Sequence, residues 1–191
     1  MRARDNPFAT VHLHRLRYRL QGATWDELLD RLQRLNWRAA IVGPHGSGKT
    51  TLLEALAGRL RERGFETRRL RLSEDHPRIE FGECDEVLAD LRSEHIVLLD
   101  GSEQMGRWAW HRFERRSRGA GGLIITAHRP GRLPSLLTCE TTPGLLGYVV
   151  QELLPDAPAL SAATARDLFL RHRGNLREAL RELYDVYARQ V

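Results

Sequence analysis

The sequence predicts a three-layer α/β domain with a mostly parallel five-stranded sheet, followed by a small α-helical C-terminal lid-like part. Two observations carry that expectation. Short apolar runs alternate with helical patterns up to about residue 142, and helical patterns alone follow. Two of those runs, "HIVLLD" (95–100) and "LIITAH" (123–128), are apolar almost throughout, as strands covered on both faces are. With 191 residues and 41% hydrophobic content, the chain can bury one such core and a small appendage. The expected division is 1–37 as an N-terminal segment and helix, 38–142 as the sheet core, and 143–191 as the helical subdomain.

The opening "NPFATVHLHRLRYRL" partly alternates polar and apolar residues, which allows an extended segment. "TWDELLDRLQRL" (24–35) begins with Thr24 and places Glu27 three residues on, a capping box, and then sets Leu28, Leu29, Leu32 and Leu35 on one helical face. "RAAIV" (38–42) is a strand and "KTTLLEALAGRLRER" (49–63) a helix stopped by Gly64. "TRRLRLS" (67–73) alternates leucines with arginines, as a half-exposed strand does. "EDHPRIEFGE" reads as loop, "CDEVLADLR" (84–92) as a short helix, 106–117 as a further helix and "LLTCETT" (136–142) as a fifth strand. After Pro143 come three helical stretches, the last opened by Gly174 as a helix stop and Asn175 as a fresh N-cap.

No window reaches the roughly 18 uninterrupted apolar residues that a membrane span needs, and the N-terminus lacks the apolar stretch of a signal peptide. A cytoplasmic protein is therefore expected, with Cys84 and Cys139 as free thiols. The net charge of +5 would suit a polyanion, yet the basic residues are interleaved with 25 acids. The stretch "RWAWHRFERRSR" (107–118), on the helix expected at 106–117, mixes aromatics with arginines. Its expected packing puts Trp108, Phe113 and Trp110 against the sheet and leaves the arginines wet, with a nucleic-acid or partner surface as the alternative.

Between the first strand and its helix lies "GPHGSGKTT". Gly43, Gly48, Lys49 and Thr50 fit G-x-x-x-x-G-K-[ST] in full, in the strand-loop-helix context that this phosphate-binding pattern requires. Glycines let the backbone N–H groups of Gly43, Pro44, His45, Gly46, Ser47, Gly48, Lys49, Thr50 and Thr51 turn toward phosphate where they have one, proline excepted, and the helix N-terminus adds positive potential. Lys49 would bridge the outer phosphates of ATP, and the Thr50 hydroxyl would ligate Mg²⁺. Lys49 is also the single lysine among the 30 basic residues. Where only charge is wanted this chain uses arginine; a compact ammonium enters a crowded loop that a planar guanidinium does not.

Asp100, closing "HIVLLD", is the expected second metal residue beside Thr50. Many ATPases place a glutamate directly after this aspartate, whereas here the chain reads "DGSEQM", so Gly101 follows and Glu103 is the candidate for polarising water, with Gln104 beside it. Thr126, at the tip of "LIITAH", would approach the γ-phosphate if its strand lies between the loop strand and the aspartate strand. His128 is a second contact or a polar loop start.

These residues resemble the additional-strand P-loop NTPases, and more narrowly the AAA+ type. "GPHGSGKT" is similar to Walker A, "IVLLDGSEQ" to a Walker B variant, "LIITAH" to a sensor-1 strand and "GNLREAL" to a sensor-2 helix, in which Arg177 would reach the nucleotide. The opening "NPF" ahead of "GPHGSGKT" also resembles small ATP-binding proteins of planctomycete-type bacteria. The resemblance implies an ATPase that couples ATP binding and hydrolysis to a conformational change in a protein partner, with homo-oligomerisation and nucleic-acid binding left open. An arginine finger would fall near Arg129 or Arg132. A small-molecule or nucleotide kinase and a nucleotide-binding switch with negligible turnover are the alternatives.

Overall fold

The computed structural model describes residues 6–9, 12, 18–20, 22–73, 83–156 and 158–190. Most of the opening segment and of "EDHPRIEFGE" lies outside the described residues. The chain divides into two compact units, each taken by itself below: Tyr18–Gly43 with Lys49–Thr138, and the described residues of Met1–Arg17 with Pro44–Gly48 and Cys139–Val191.

The first unit opens with α1 (Trp25–Arg34), whose capping box forms as the sequence dictates. The Glu27 N–H donates to Thr24 Oγ1 at 3.2 Å and the Thr24 N–H to Glu27 Oε2 at 2.8 Å, and Leu28, Leu29 and Leu32 are buried. Next come β1 (Arg38–Val42), α2 (Lys49–Glu62), β2 (Glu66–Arg71), α3 (Glu83–Val87), β3 (His95–Asp100), α4 (Arg107–Arg116), β4 (Gly122–Ala127) and β5 (Ser135–Thr138). The expected helix over 84–92 is shorter, ending in a turn in which Asp90 takes φ +44°. A left-handed residue there stops the helical hydrogen-bond ladder.

The sheet order is β2-β3-β4-β1-β5 and every pair is parallel. β3 and β4 are buried at every position, whereas the edge strands β2 and β5 keep exposed residues. That gradient explains the difference between continuous apolar runs in the centre and alternation at the edge. β4 lies between β1 and β3, which brings the ends of "RAAIV", "HIVLLD" and "LIITAH" side by side. In α2 Leu52, Leu53, Leu56 and Leu60 are fully buried, each contributing about 1.5–3 kcal/mol of apolar burial.

One expectation for α4 fails. Phe113 is buried and Trp110 partly so, but Trp108 is 89% exposed. At about 100° per residue, Trp108 stands some 140° round the helix from Phe113 and about 160° from Trp110, so it cannot share their face.

The second unit holds α5 (Pro143–Leu153), α6 (Ala162–Arg171) and α7 (Leu176–Gln190). Thr142 caps α5 by accepting from the Leu145 N–H, Pro143 occupies the first turn, and Ser161 caps α6. Asn6 donates through Nδ2 to the Tyr184 carbonyl at 2.9 Å and accepts from the Phe8 N–H, in a turn rather than an extended stretch. Phe8 is buried in a cluster with Leu146, Val150, Leu168, Leu176 and Leu180. The "NPF" opening is therefore part of this unit's core. Among the described residues no helix is long and apolar enough to cross a membrane.

Candidate functional site

In the sheet unit the predicted residues converge on one carboxylate. Asp100, only 5% exposed at the end of β3, accepts through Oδ1 from the Thr50 hydroxyl at 3.2 Å and from the Thr126 hydroxyl at 2.8 Å. Thr126 also accepts from the Gly101 N–H at 2.8 Å. Its only proton therefore goes to Asp100, and it ties the two strand ends together. Lys49 is buried, with its ammonium donating to the Gly43 carbonyl at 2.8 Å, and the Gly43 N–H donates to the Ala127 carbonyl.

A further residue, Arg69 on β2, belongs to this cluster. Its guanidinium lies 2.8 Å from Glu54 Oε1 and 3.3 Å from Asp100 Oδ2, and Arg71 Nε is 3.9 Å from the same oxygen. The sequence shows Arg69 and Arg71 alternating along a strand, and the parallel register that sets Arg71 opposite Asp100 is what brings them to the site. One strand face carries both guanidinium groups to the aspartate.

Gly101 explains the departure after Asp100. It takes φ +85°, and a Cβ there would sit 2.3 Å from the Leu72 carbonyl oxygen and 3.1 Å from its carbon. Both the backbone conformation and the space exclude a side chain, so a glutamate directly after Asp100 does not fit this chain. Two residues on, in the 3₁₀ turn Ser102–Gln104, Glu103 Oε1 lies 2.9 Å from His128 Nε2 at the end of β4. Glu103 Oε2, Ser102 Oγ and Arg132 Nη1 are buried without a hydrogen-bond partner among the described residues. Arg132 donates through Nη2 to the Met105 carbonyl and lies 5.0 Å over the Trp110 ring. Burial lowers its proton affinity from the ordinary arginine value, and the nearby Glu103 charge opposes that shift. Arg129 is exposed.

In the helical unit, the loop residues Pro44–Gly48 pack against the start of α7. The Ser47 hydroxyl donates to the Pro44 carbonyl at 2.8 Å. Gly46 and Gly48 take φ +70° and +81°, and a Cβ on Gly46 would meet Asn175 Oδ1 at 2.0 Å and the Arg177 nitrogen at 3.1 Å. Asn175 caps α7 as predicted, accepting from the Arg177 N–H at 3.1 Å and the Glu178 N–H at 3.3 Å, after Gly174 at φ +81°. Arg177 is exposed. This unit also contains a cavity of about 180 Å³ with mostly apolar walls, Phe8, Val150, Leu154, Leu160 and Leu183 among them, and with Gln151 and Tyr187 as its polar residues.

A parallel sheet ordered β2-β3-β4-β1-β5, with a glycine-rich loop after β1 and an aspartate ending β3, is similar in fold to solved AAA+ P-loop ATPases. Solved structures of two proteins illustrate the likeness. RuvB of Thermotoga maritima, a Holliday junction branch migration motor, superposes with a TM-score of 0.53 at 20% identity over 82% of this chain and 58% of that one. NtrX from Brucella abortus, solved in complex with ATP, gives 0.56 at 16% identity over 93% and 52%. Its complex with ADP gives 0.56 at 15% over 89% and 51%. The chain thus spans little more than half the length of the solved chains it matches, and at these identities the likeness is one of fold. No family model and no curated protein matches the chain.

Proposed function

We propose that this chain binds Mg·ATP at the loop Gly43–Thr51 and hydrolyses it slowly, turning the cycle into a conformational change that acts on a protein partner. The observation that carries this reading is the Asp100 carboxylate, held by the hydroxyls of Thr126 and of Thr50, which follows the buried Lys49 in the chain. The residues fit the implied groups. Glycines at positive φ turn the loop, a buried ammonium suits phosphate, and the Thr50 and Asp100 oxygens are the hard donors that magnesium prefers. When bound, Mg²⁺ would neutralise charge on the outer phosphates.

The protein's own groups then divide the work. Lys49 neutralises phosphate oxygens, Thr126 holds Asp100 in place, and Glu103, whose Oε2 is buried without a partner among the described residues, orients a water and accepts its proton once the site admits one. Arg177, whose backbone nitrogen would lie 3.1 Å from a Cβ on Gly46, is the arginine that in this reading answers to the phosphates bound in the loop. The cytosol supplies the setting in this reading, and self-assembly is one route by which an arginine such as Arg129 could serve a neighbouring copy. The likeness of "NPF" to planctomycete-type proteins adds no role.

A specific observation favours a second reading, a nucleotide switch with negligible turnover: position 101 is closed to a side chain and Glu103 is already engaged by His128. An ATPase assay across protein concentrations, with particle size measured with and without ATP, separates the two. Phosphate release lost in Lys49→Ala and in Glu103→Gln supports the ATPase. Tight ATP binding with no phosphate release at any concentration selects the switch, and turnover that requires one small acceptor selects a kinase instead.

A further inference from the structure

The face of α4 turned away from the core is made of residues that the nucleotide site does not use. Trp108, His111, Arg112 and Arg115 stand at i, i+3, i+4 and i+7, which aligns them in one stripe, and Arg107 flanks the indole. All five are exposed, Trp108 at 89%. Arg107, Arg112 and Arg115 enter no ion pair among the described residues, whereas their neighbours do: Arg116 pairs with Asp85 at 2.6 Å and Arg118 with Glu114 at 3.9 Å. The stripe itself carries no carboxylate. A single exposed aromatic is ordinary on a protein surface; an indole plane set among guanidinium groups that enter no ion pair among the described residues is a charge-complementary surface for a polyanion.

Two features narrow the polyanion. A bilayer surface is gripped by helices with several apolar side chains on the outer face, and here Trp108 is the one large apolar group on the stripe. Single-stranded nucleic acid requires a stacking platform and cations spaced along its backbone, and Arg107 to Arg115 spread their charges over about 12 Å of helix. We propose that this face of α4 binds single-stranded nucleic acid, with Trp108 stacking on a base and Arg107, Arg112 and Arg115 contacting phosphates.

The test is a fluorescence-anisotropy titration of labelled oligo(dT) and oligo(U) with the full chain over a series of salt concentrations. Neutralising three phosphates gives a slope of log K against log[salt] of about −2. Trp108→Ala should weaken binding roughly 5- to 150-fold, the range expected for one lost stack. Trp108→Phe should recover part of that loss, and Arg112→Glu with Arg115→Glu should flatten the salt slope. These side chains lie outside the core, so circular dichroism should report an unchanged fold. Tighter binding of either oligonucleotide tells DNA from RNA. No oligonucleotide binding at low salt, binding indifferent to Trp108, or capture only by anionic vesicles or polyglutamate would overturn the proposal.

Discussion

Replacing Gly101 with alanine should destabilise the sheet unit by roughly 1–4.5 kcal/mol. Two costs add at this position. At φ +85° an L-residue sits in the left-handed region, worth about 1–2 kcal/mol. The new Cβ would also stand 2.3 Å from the Leu72 carbonyl oxygen, a backbone atom that cannot rotate away. Relieving such overpacking costs about 1–3 kcal/mol. The segments resist separation because the Leu72 N–H donates to the Asp100 carbonyl at 2.8 Å. Alanine returns about 0.4–1 kcal/mol by restricting the unfolded chain. The assay is urea unfolding, compared with Gly58→Ala in α2, where nothing lies within 4 Å of an added Cβ. That control should gain about 0.5–1 kcal/mol. If Gly101→Ala unfolds within about 0.5 kcal/mol of the parent, the steric account is wrong. It would also be wrong if Gly101→Glu restored phosphate release to a Glu103→Gln protein.

Thr126→Val should cost about 1–3 kcal/mol in the same unfolding assay, because the Gly101 N–H loses its acceptor and Asp100 a donor, and Thr126→Ser should recover most of it. Arg69→Gln removes the cation 3.3 Å from Asp100 Oδ2; with about 1 kcal/mol for a pair of this exposure, Mg²⁺ should promote fluorescent-nucleotide binding at about fivefold lower concentration. An unchanged magnesium midpoint would count against that placement. In the helical unit the Glu182 carboxyl is held below its usual range, chiefly by its hydrogen bond with His172 and then by the Arg171 and His172 charges. A depressed folded-state pKa stabilises above the unfolded carboxyl's pKa and loses that contribution as pH falls through the folded value. Thermal melts followed by circular dichroism should drop in midpoint across the carboxylate range, and Glu182→Gln should remove that part of the drop.

Local chemistry was legible along the chain. The capping box at Thr24 and Glu27, the phosphate-loop pattern and the Gly174–Asn175 cap each depend on residues within a few positions of one another, and the structure forms each locally. The nearly continuous apolar runs of β3 and β4 announced burial on both faces, because a central strand tolerates polar residues such as Asp100 and Thr126 only where hydrogen bonds satisfy them. The aromatics of α4 follow the helical angle and not composition: Trp108 belongs to a different face from Phe113.

What the sequence determined by itself was therefore the set of elements and the loop that joins β1 to α2, since helix caps, glycine turns and strand burial are written in neighbouring residues. Tertiary structure alone decided which distant side chains meet. Sheet order and register brought Arg69 and Thr126 to Asp100 and Glu103 to His128, and the close approach of the Leu72 backbone made a side chain after Asp100 impossible. Those contacts join residues from separate strands and turns, and no periodicity along the chain encodes a distance between them.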